Sequence, residues 1–175
     1  MAPVFLRLIL LGLLCAPATA APPNIDDLDA VLLRNVQSGF VDYDGIRADP
    51  AFDRFVTGLA NTVPEDLAAP DTRLAFLINA YNALAIRGIL DGYSPASRFG
   101  RYVYFKRRKY ELLGNTTTLE GLEHGQILPL AEPRVHFVIV CASISCPRLA
   151  NHAFKPEDLE AQLEAAARSF ANDGT

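Results

Sequence analysis

The residues best suited to chemistry in this 175-residue sequence are concentrated in one stretch that contains His136, Cys141 and Cys146. A cysteine thiolate is a strong nucleophile, and an imidazole within hydrogen-bond reach can activate it. Ser143 lies between the cysteines, and we take Ser143 and Cys146 as candidate binding residues. The same spacing permits a Cys141–Cys146 disulfide if the chain folds back, bringing the Cα atoms within about 7 Å.

Residues 134–141 form an apolar run that predicts an internal β-strand ending at Cys141. Side chains alternate along a strand, and positions 136 and 141 differ by an odd number, so His136 is expected to face away from Cys141. His136 therefore serves as a base for Cys141 only if the strand bulges or ends early.

A second imidazole lies upstream, where Glu120, Glu123 and His124 fall in a short predicted helix that starts at a Thr117–Glu120 capping box. Glu120 and His124 are four residues apart, so a carboxylate can orient the imidazole on one helical face. The candidate catalytic set is Cys141 as nucleophile, His124 or His136 as base, and Glu123, Glu120 or Asn82 as the orienting group.

Asn79 and Asn82 are three residues apart in a strongly apolar predicted helix, where asparagine is unfavourable. We favour the interpretation that both amides bind loop backbone and hold the fold, because a buried amide needs partners at both ends. The alternative is that one of them works in an active site. Asn79 and the neighbouring Tyr81 are further candidate binding residues.

The elements that position these residues predict an α+β fold, with helices packed on a small, mostly antiparallel sheet. The central buried helix is expected around residues 72–88, capped by Asp71. Other helices are predicted to begin at Asn24, at Asp49-Pro50 and at residues 154–157, and residues 101–113 are predicted to form a hairpin with basic residues near its tip.

Residues 1–20 carry one charge, a short apolar run and small residues before Ala20, a pattern typical of a secretory signal peptide. We expect cleavage after Ala20 and export to the periplasm or the extracellular space. The apolar run is too short to cross a bilayer, so no integral membrane span is expected after the signal is removed. With 16 basic and 20 acidic residues and no long basic run, a nucleic-acid partner is not expected.

Four segments, in this order, resemble the DUF547 family, a domain of unknown function found in bacteria and plants. They are FLINAYNA (residues 76–83), LEGLEH (119–124), RVHF (134–137) and CASISCP (141–147). The family usually carries Trp where this chain has Leu77, and many members continue past the last helix. The expected division is a signal peptide (1–20), an N-terminal helix or leader (21–39) and a DUF547-like domain (40–175), in a minimal or C-terminally truncated version.

The resemblance implies no activity, so the residue types decide between functions. We favour an exported, non-catalytic domain that binds an unknown peptide or small molecule, with Cys141 and Cys146 buried or disulfide-bonded. The alternative is a thiol-dependent hydrolase or acyl transferase of the papain or transglutaminase kind. A zinc site from the two cysteines and a histidine is a weaker third option, since a second ligand pair is missing. We expect no cofactor and no metal.

Overall fold

A computed structural model describes residues 22–142 and 146–172. The helices are α1 (Ile25–Asn35), α2 (Tyr43–Ala48), α3 (Pro50–Gly58), α4 (Pro70–Leu90), α5 (Arg98–Tyr102), α6 (Leu119–Leu122) and α7 (Leu159–Asn172). Two antiparallel pairs join β1 (Val36–Gln37) to β2 (Phe40–Val41) and β3 (Tyr110–Leu112) to β4 (Asn115–Thr117). The α+β class is therefore confirmed, with two separate two-stranded sheets.

Helix α4 is the centre of the core. Its apolar side chains lie almost all the way round, and it contacts α2, α3 and α6. Leu77, Ile78 and Leu84 are at most 1% exposed. Pro70 occupies the first helical position, which suits its fixed φ, so Asp71 lies in the first turn and is not the cap that we predicted.

The prediction of a strand over residues 134–141 is wrong. Pro133–Phe137 is a 3₁₀ turn, and the chain continues to Cys141 without regular structure. The Glu132 side chain caps this turn by accepting from the Arg134 amide. The apolar run does belong to the core, since Val135 and residues 138–140 are buried. A short apolar run, however, does not distinguish a strand from a turn.

The hairpin predicted over residues 101–113 is also displaced. Ser97 accepts from the Gly100 amide and starts α5, which continues into a π-helical turn over Val103–Arg107. The hairpin follows as β3 and β4, turning at Leu113 and Gly114, both with positive φ. The basic residues therefore lie on the helix and its π-turn, and not at a hairpin tip.

Helix starts with clear signals were predicted well, and others shifted. Asn24 caps α1, and Asp49 with Pro50 starts α3. Thr118, and not Thr117, caps α6, which runs into a second π-helical turn over Glu123–Ile127. The last helix begins at Leu159, later than residues 154–157. No helix within the described residues is long and apolar enough to cross a membrane.

Candidate functional site

An open cleft of about 470 Å³ forms between α4, α5, α6 and the segment that leads to Cys141. It is lined by Tyr81, Arg98, Arg101, Tyr102, Phe105, Lys106, Glu120, Glu123, His124 and Cys141. The cleft therefore brings together five candidates from the sequence: Cys141, His124, Glu123, Glu120 and Tyr81. They come from three parts of the chain that only the fold unites.

Tyr81 connects the core helix to the cleft. Its side chain is 2% exposed, and its hydroxyl donates to Glu123 Oε2 at 3.3 Å. Burial raises the pKa of Tyr81, and the nearby Glu123 charge raises it further, because both disfavour a phenolate. The phenol therefore stays protonated and holds the Glu123 carboxylate in the cleft wall.

His124 follows Glu123 in the π-helical turn and is exposed. Within the described residues, its imidazole makes no hydrogen bond or ion pair. Glu120 instead binds Lys106, at 2.7 Å between Nζ and Oε1, and this bond raises the pKa of Lys106. Glu120 therefore does not orient His124, because Lys106 offers the carboxylate a full positive charge.

Asn82 holds the chain that leads to Cys141. Its Nδ2 donates to the Val138 carbonyl at 2.9 Å, and its Oδ1 accepts from the Val140 amide at 3.0 Å. Both ends of the amide are occupied and the residue is 4% exposed, so it does not line the cleft. Asn82 positions Cys141 through the backbone, and its amide is not free to orient a base.

Asn79 makes the same kind of contact one helical turn earlier. Its Nδ2 donates to the Phe154 carbonyl at 2.7 Å, and its Oδ1 accepts from the Phe154 amide at 2.9 Å. The two asparagines thus hold the chain on both sides of the cysteine segment.

Cys141 and Cys146 form a disulfide, with Cα atoms 5.9 Å apart. Cys141 lines the cleft, whereas Cys146 lines a neighbouring groove of about 700 Å³ together with Val140 and Ala142. Ser143 lies outside the described residues. While the disulfide is intact, Cys141 carries no thiol, so nucleophilic chemistry at Cys141 requires its reduction.

His136 lies apart from this site. It is exposed on the Pro133–Phe137 turn and does not line the cleft. Because the segment is not a strand, side-chain alternation does not determine how His136 lies relative to Cys141. The histidine that shares the cleft with Cys141 is His124.

The α5 wall of the cleft was missed by the sequence reasoning. Arg98, Arg101 and Phe105 follow one another at helical spacing, and Ser97 precedes them as a cap. Those signals predict a helix at this point, but the alternating aromatic residues of 102–105 favoured a hairpin. Arg98 and Arg101 were therefore not predicted to line the site.

Among the described residues, no group of three histidine, cysteine or acidic side chains could hold a metal ion. Comparison with protein families matches residues 64–171 to the family described as a protein of unknown function, DUF547. No curated protein and no solved structure matches the chain.

Proposed function

The chain belongs to the DUF547 family, and we propose that its cleft is the active site of a thiol-dependent hydrolase or acyl transferase. The observation that carries the proposal is that Cys141 and His124, distant in sequence, line the same open cleft. Free catalytic thiols are found in such accessible sites, whereas structural cysteines are usually sealed in the core. A hydrogen bond between catalytic groups is often formed only when substrate binds, so its absence does not oppose the assignment.

The reaction begins after a thiol reductant converts the disulfide to two thiols. His124 takes the Cys141 proton, and Sγ attacks the acyl carbon of the substrate. The bond from that carbon to the leaving group breaks, and the imidazolium returns the proton to the leaving group. Water then resolves the thioester in a hydrolase, or an amine or alcohol resolves it in a transferase.

Glu123 supports this step electrostatically. Its carboxylate is held by Tyr81 at 3.3 Å and lies in the same cleft as His124. A fixed carboxylate in the same cleft stabilises the positive charge that develops while the proton leaves Cys141. Tyr81 and Asn82 act as positioning residues, the first through Glu123 and the second through the backbone before Cys141.

We also propose that the protein is exported. The Cys141–Cys146 disulfide supports this location, since disulfides persist mainly in oxidising compartments. The signal-like composition of residues 1–20, which lie outside the described residues, supports it as well.

A second candidate function is a non-catalytic binding domain, and the disulfide is the observation that favours it. In that case the Cys141–Cys146 link is a permanent structural crosslink, and the cleft binds a peptide or small molecule without reacting.

Alkylation of single-cysteine variants separates the two functions. In Cys146→Ala the thiol of Cys141 is free, and in the matched control Cys141→Ala the thiol of Cys146 is free. We expect iodoacetamide at pH 7 to modify Cys141 at least about threefold faster than Cys146, because an imidazole raises the thiolate population more than it lowers intrinsic nucleophilicity. Peptide mapping by mass spectrometry identifies the labelled residue.

The dependence on His124 completes this test. His124→Gln in the Cys146→Ala background should reduce the Cys141 rate to that of a free peptide thiol, whereas His136→Gln should leave it unchanged. Equal rates at Cys141 and Cys146, or no effect of His124→Gln, would favour the binding domain and contradict the enzyme.

A further inference from the structure

We propose that the cleft selects ligands that carry a free carboxylate on an apolar body, with Arg98 and Arg101 as the groups that bind the carboxylate. This inference rests on the proposed function only in that it takes the ligand to be a substrate. The binding itself needs neither thiol nor turnover.

The first observation is that two arginines in the cleft have no carboxylate partner among the described residues. Within the described residues, carboxylates form ion pairs with Arg34, Arg54, Arg87, Arg108, Arg134 and Arg168. Arg98 and Arg101 have no ion pair with any described residue, although both line the cleft. They are three residues apart in α5, so their side chains share one helical face.

The second observation is the charge balance of the cleft. Lys106 is neutralised by Glu120 at 2.7 Å, and Glu123 is held by Tyr81. The positive charge left over is therefore on the α5 wall. A guanidinium group matches a carboxylate in a bidentate arrangement, and two such groups on one helical face can bind the same carboxylate.

The carboxyl group fits this cleft better than a phosphate does. With Lys106 paired to Glu120, the two arginines (+2) and Glu123 (−1) leave the cleft a net charge of +1. A monoanionic carboxylate balances this charge, whereas a dianionic phosphate leaves an excess negative charge in the cleft. A carboxylate is also the anion that commonly accompanies an acyl group in peptides and amino-acid derivatives.

The aromatic side chains supply the apolar contact. Tyr102 is 48% exposed beside Arg101, and Phe105 lies on the same wall. A cleft of about 470 Å³ falls within the range of small-molecule sites, which are usually apolar with a few polar groups that fix orientation. A short peptide end or an acylated amino acid has the required size and chemistry.

Binding of a matched pair of probes tests the inference on the disulfide-intact protein. The probes are N-acetyl-phenylalanine, which carries the carboxylate, and its neutral amide, measured by calorimetry or by NMR titration. We expect the acid to bind about tenfold more tightly than the amide, a preference that weakens as salt is added. The double variant Arg98→Gln/Arg101→Gln should abolish the preference.

Arg107→Gln is the matched control, because Arg107 is an exposed arginine next to α5 that does not line the cleft. It should keep the full preference for the acid. Equal affinity for acid and amide, loss of the preference in Arg107→Gln, or absence of binding by either probe would overturn the inference.

A second measurement uses the reduced Cys146→Ala protein and compares iodoacetate with iodoacetamide. The ratio of their rates at Cys141, relative to the ratio on a peptide thiol, should be raised severalfold by the positive wall and should fall in Arg98→Gln/Arg101→Gln. Slow reaction with both reagents would contradict the proposed enzyme alone. An unchanged ratio at a fast-reacting Cys141 would contradict the carboxylate preference alone.

Discussion

Asn82 shows how one buried side chain can serve both the fold and the site. Its amide occupies the Val138 carbonyl and the Val140 amide at the same time, at 2.9 and 3.0 Å. Removing it leaves two buried backbone groups without partners, and each such group costs about 1–3 kcal/mol.

We therefore predict that Asn82→Ala lowers the free energy of unfolding by about 2–4 kcal/mol in chemical denaturation. Asn61→Ala is the control, because Asn61 is exposed and makes one bond to a helix-end carbonyl. That variant should change the free energy by less than about 0.5 kcal/mol. Similar small losses in both variants would show that the Asn82 contacts are not retained in solution.

Arg134 makes the stability depend on pH. Its side-chain hydrogen bonds to Glu132 hold the pKa of Glu132 below its ordinary range, and Glu160 is affected in the same direction by the same guanidinium. A folded-state pKa below the unfolded value means that the contribution is complete above the unfolded value of about 4.3. It is then lost as the pH falls through the folded pKa.

We predict that wild-type protein loses stability between pH 5 and pH 3, and that Glu132→Gln loses less over the same interval. The free energy of unfolding at both pH values, by denaturant titration, measures the difference. Glu157→Gln, at an exposed position with no ion pair among the described residues, should follow the wild type. A Glu132→Gln curve parallel to wild type would contradict the role of this pair.

At this scale the sequence predicted five of the ten residues that line the cleft, but not the contacts that they make. Cys141, His124, Glu123, Glu120 and Tyr81 do meet in the cleft. The partners were harder to predict. Glu120 binds Lys106 because α5 and its π-turn pack against α6, and no local pattern of residues 119–124 contains that information.

Among the elements, α3 was predicted from its local capping residues, whereas the structure of residues 134–141 was not predicted from their apolar run. Asp49 accepts from the Ala51 amide and Pro50 fits the first turn, so α3 is determined locally. Residues 134–141 depend on Asn82, which lies more than fifty positions away and takes the backbone bonds that a strand would have made to a neighbour. That contact could not be deduced from the local sequence.

The packing of α4 against the two tyrosines of the following segment depends on Gly88. A Cβ at this position would lie 2.7 Å from Tyr104 Cε2 and 2.7 Å from Tyr110 Oη. The Tyr104 hydroxyl is tied to the Ala85 carbonyl at 2.5 Å, so its ring cannot move away freely. The close approach of helix and ring therefore requires glycine.

We predict that Gly88→Ala lowers the free energy of unfolding by about 1–3 kcal/mol, despite the higher helix propensity of alanine. Gly125→Ala is the control, since a Cβ there has no heavy atom within 4 Å, and it should be nearly neutral. Thermal or chemical unfolding of both variants tests this. A stabilised Gly88→Ala protein would show that Tyr104 and Tyr110 move to accommodate the methyl group.

At the scale of the whole molecule, the Cys141–Cys146 disulfide makes the stability of the fold depend on the redox conditions. It closes a small loop, with a sequence separation of 5 residues, so its effect on the unfolded chain is modest. The chain-entropy relation gives about 2 kcal/mol for a loop of this length.

We predict that reduction raises the intact mass by two hydrogen atoms and lowers the free energy of unfolding by about 2 kcal/mol without unfolding the protein. The double variant Cys141→Ala/Cys146→Ala should be insensitive to reductant in both measurements. A wild-type mass that does not change on reduction would contradict the disulfide. Complete unfolding on reduction would contradict a reduced, active enzyme.

The contacts of Asn79 and Asn82 have one more consequence. The backbone is bound to Asn82 of α4 at Val140 and to Asn79 of α4 at Phe154. The two asparagines are separated by a single turn of the helix. The ends of the intervening loop are thus pinned at a fixed short distance, whatever its interior contains. Since the entropy of closing a loop grows only slowly with its length, insertions between these two anchors should be tolerated far better than changes to either asparagine. The cysteine segment is thus held against one helix by its two ends, independently of the disulfide within it.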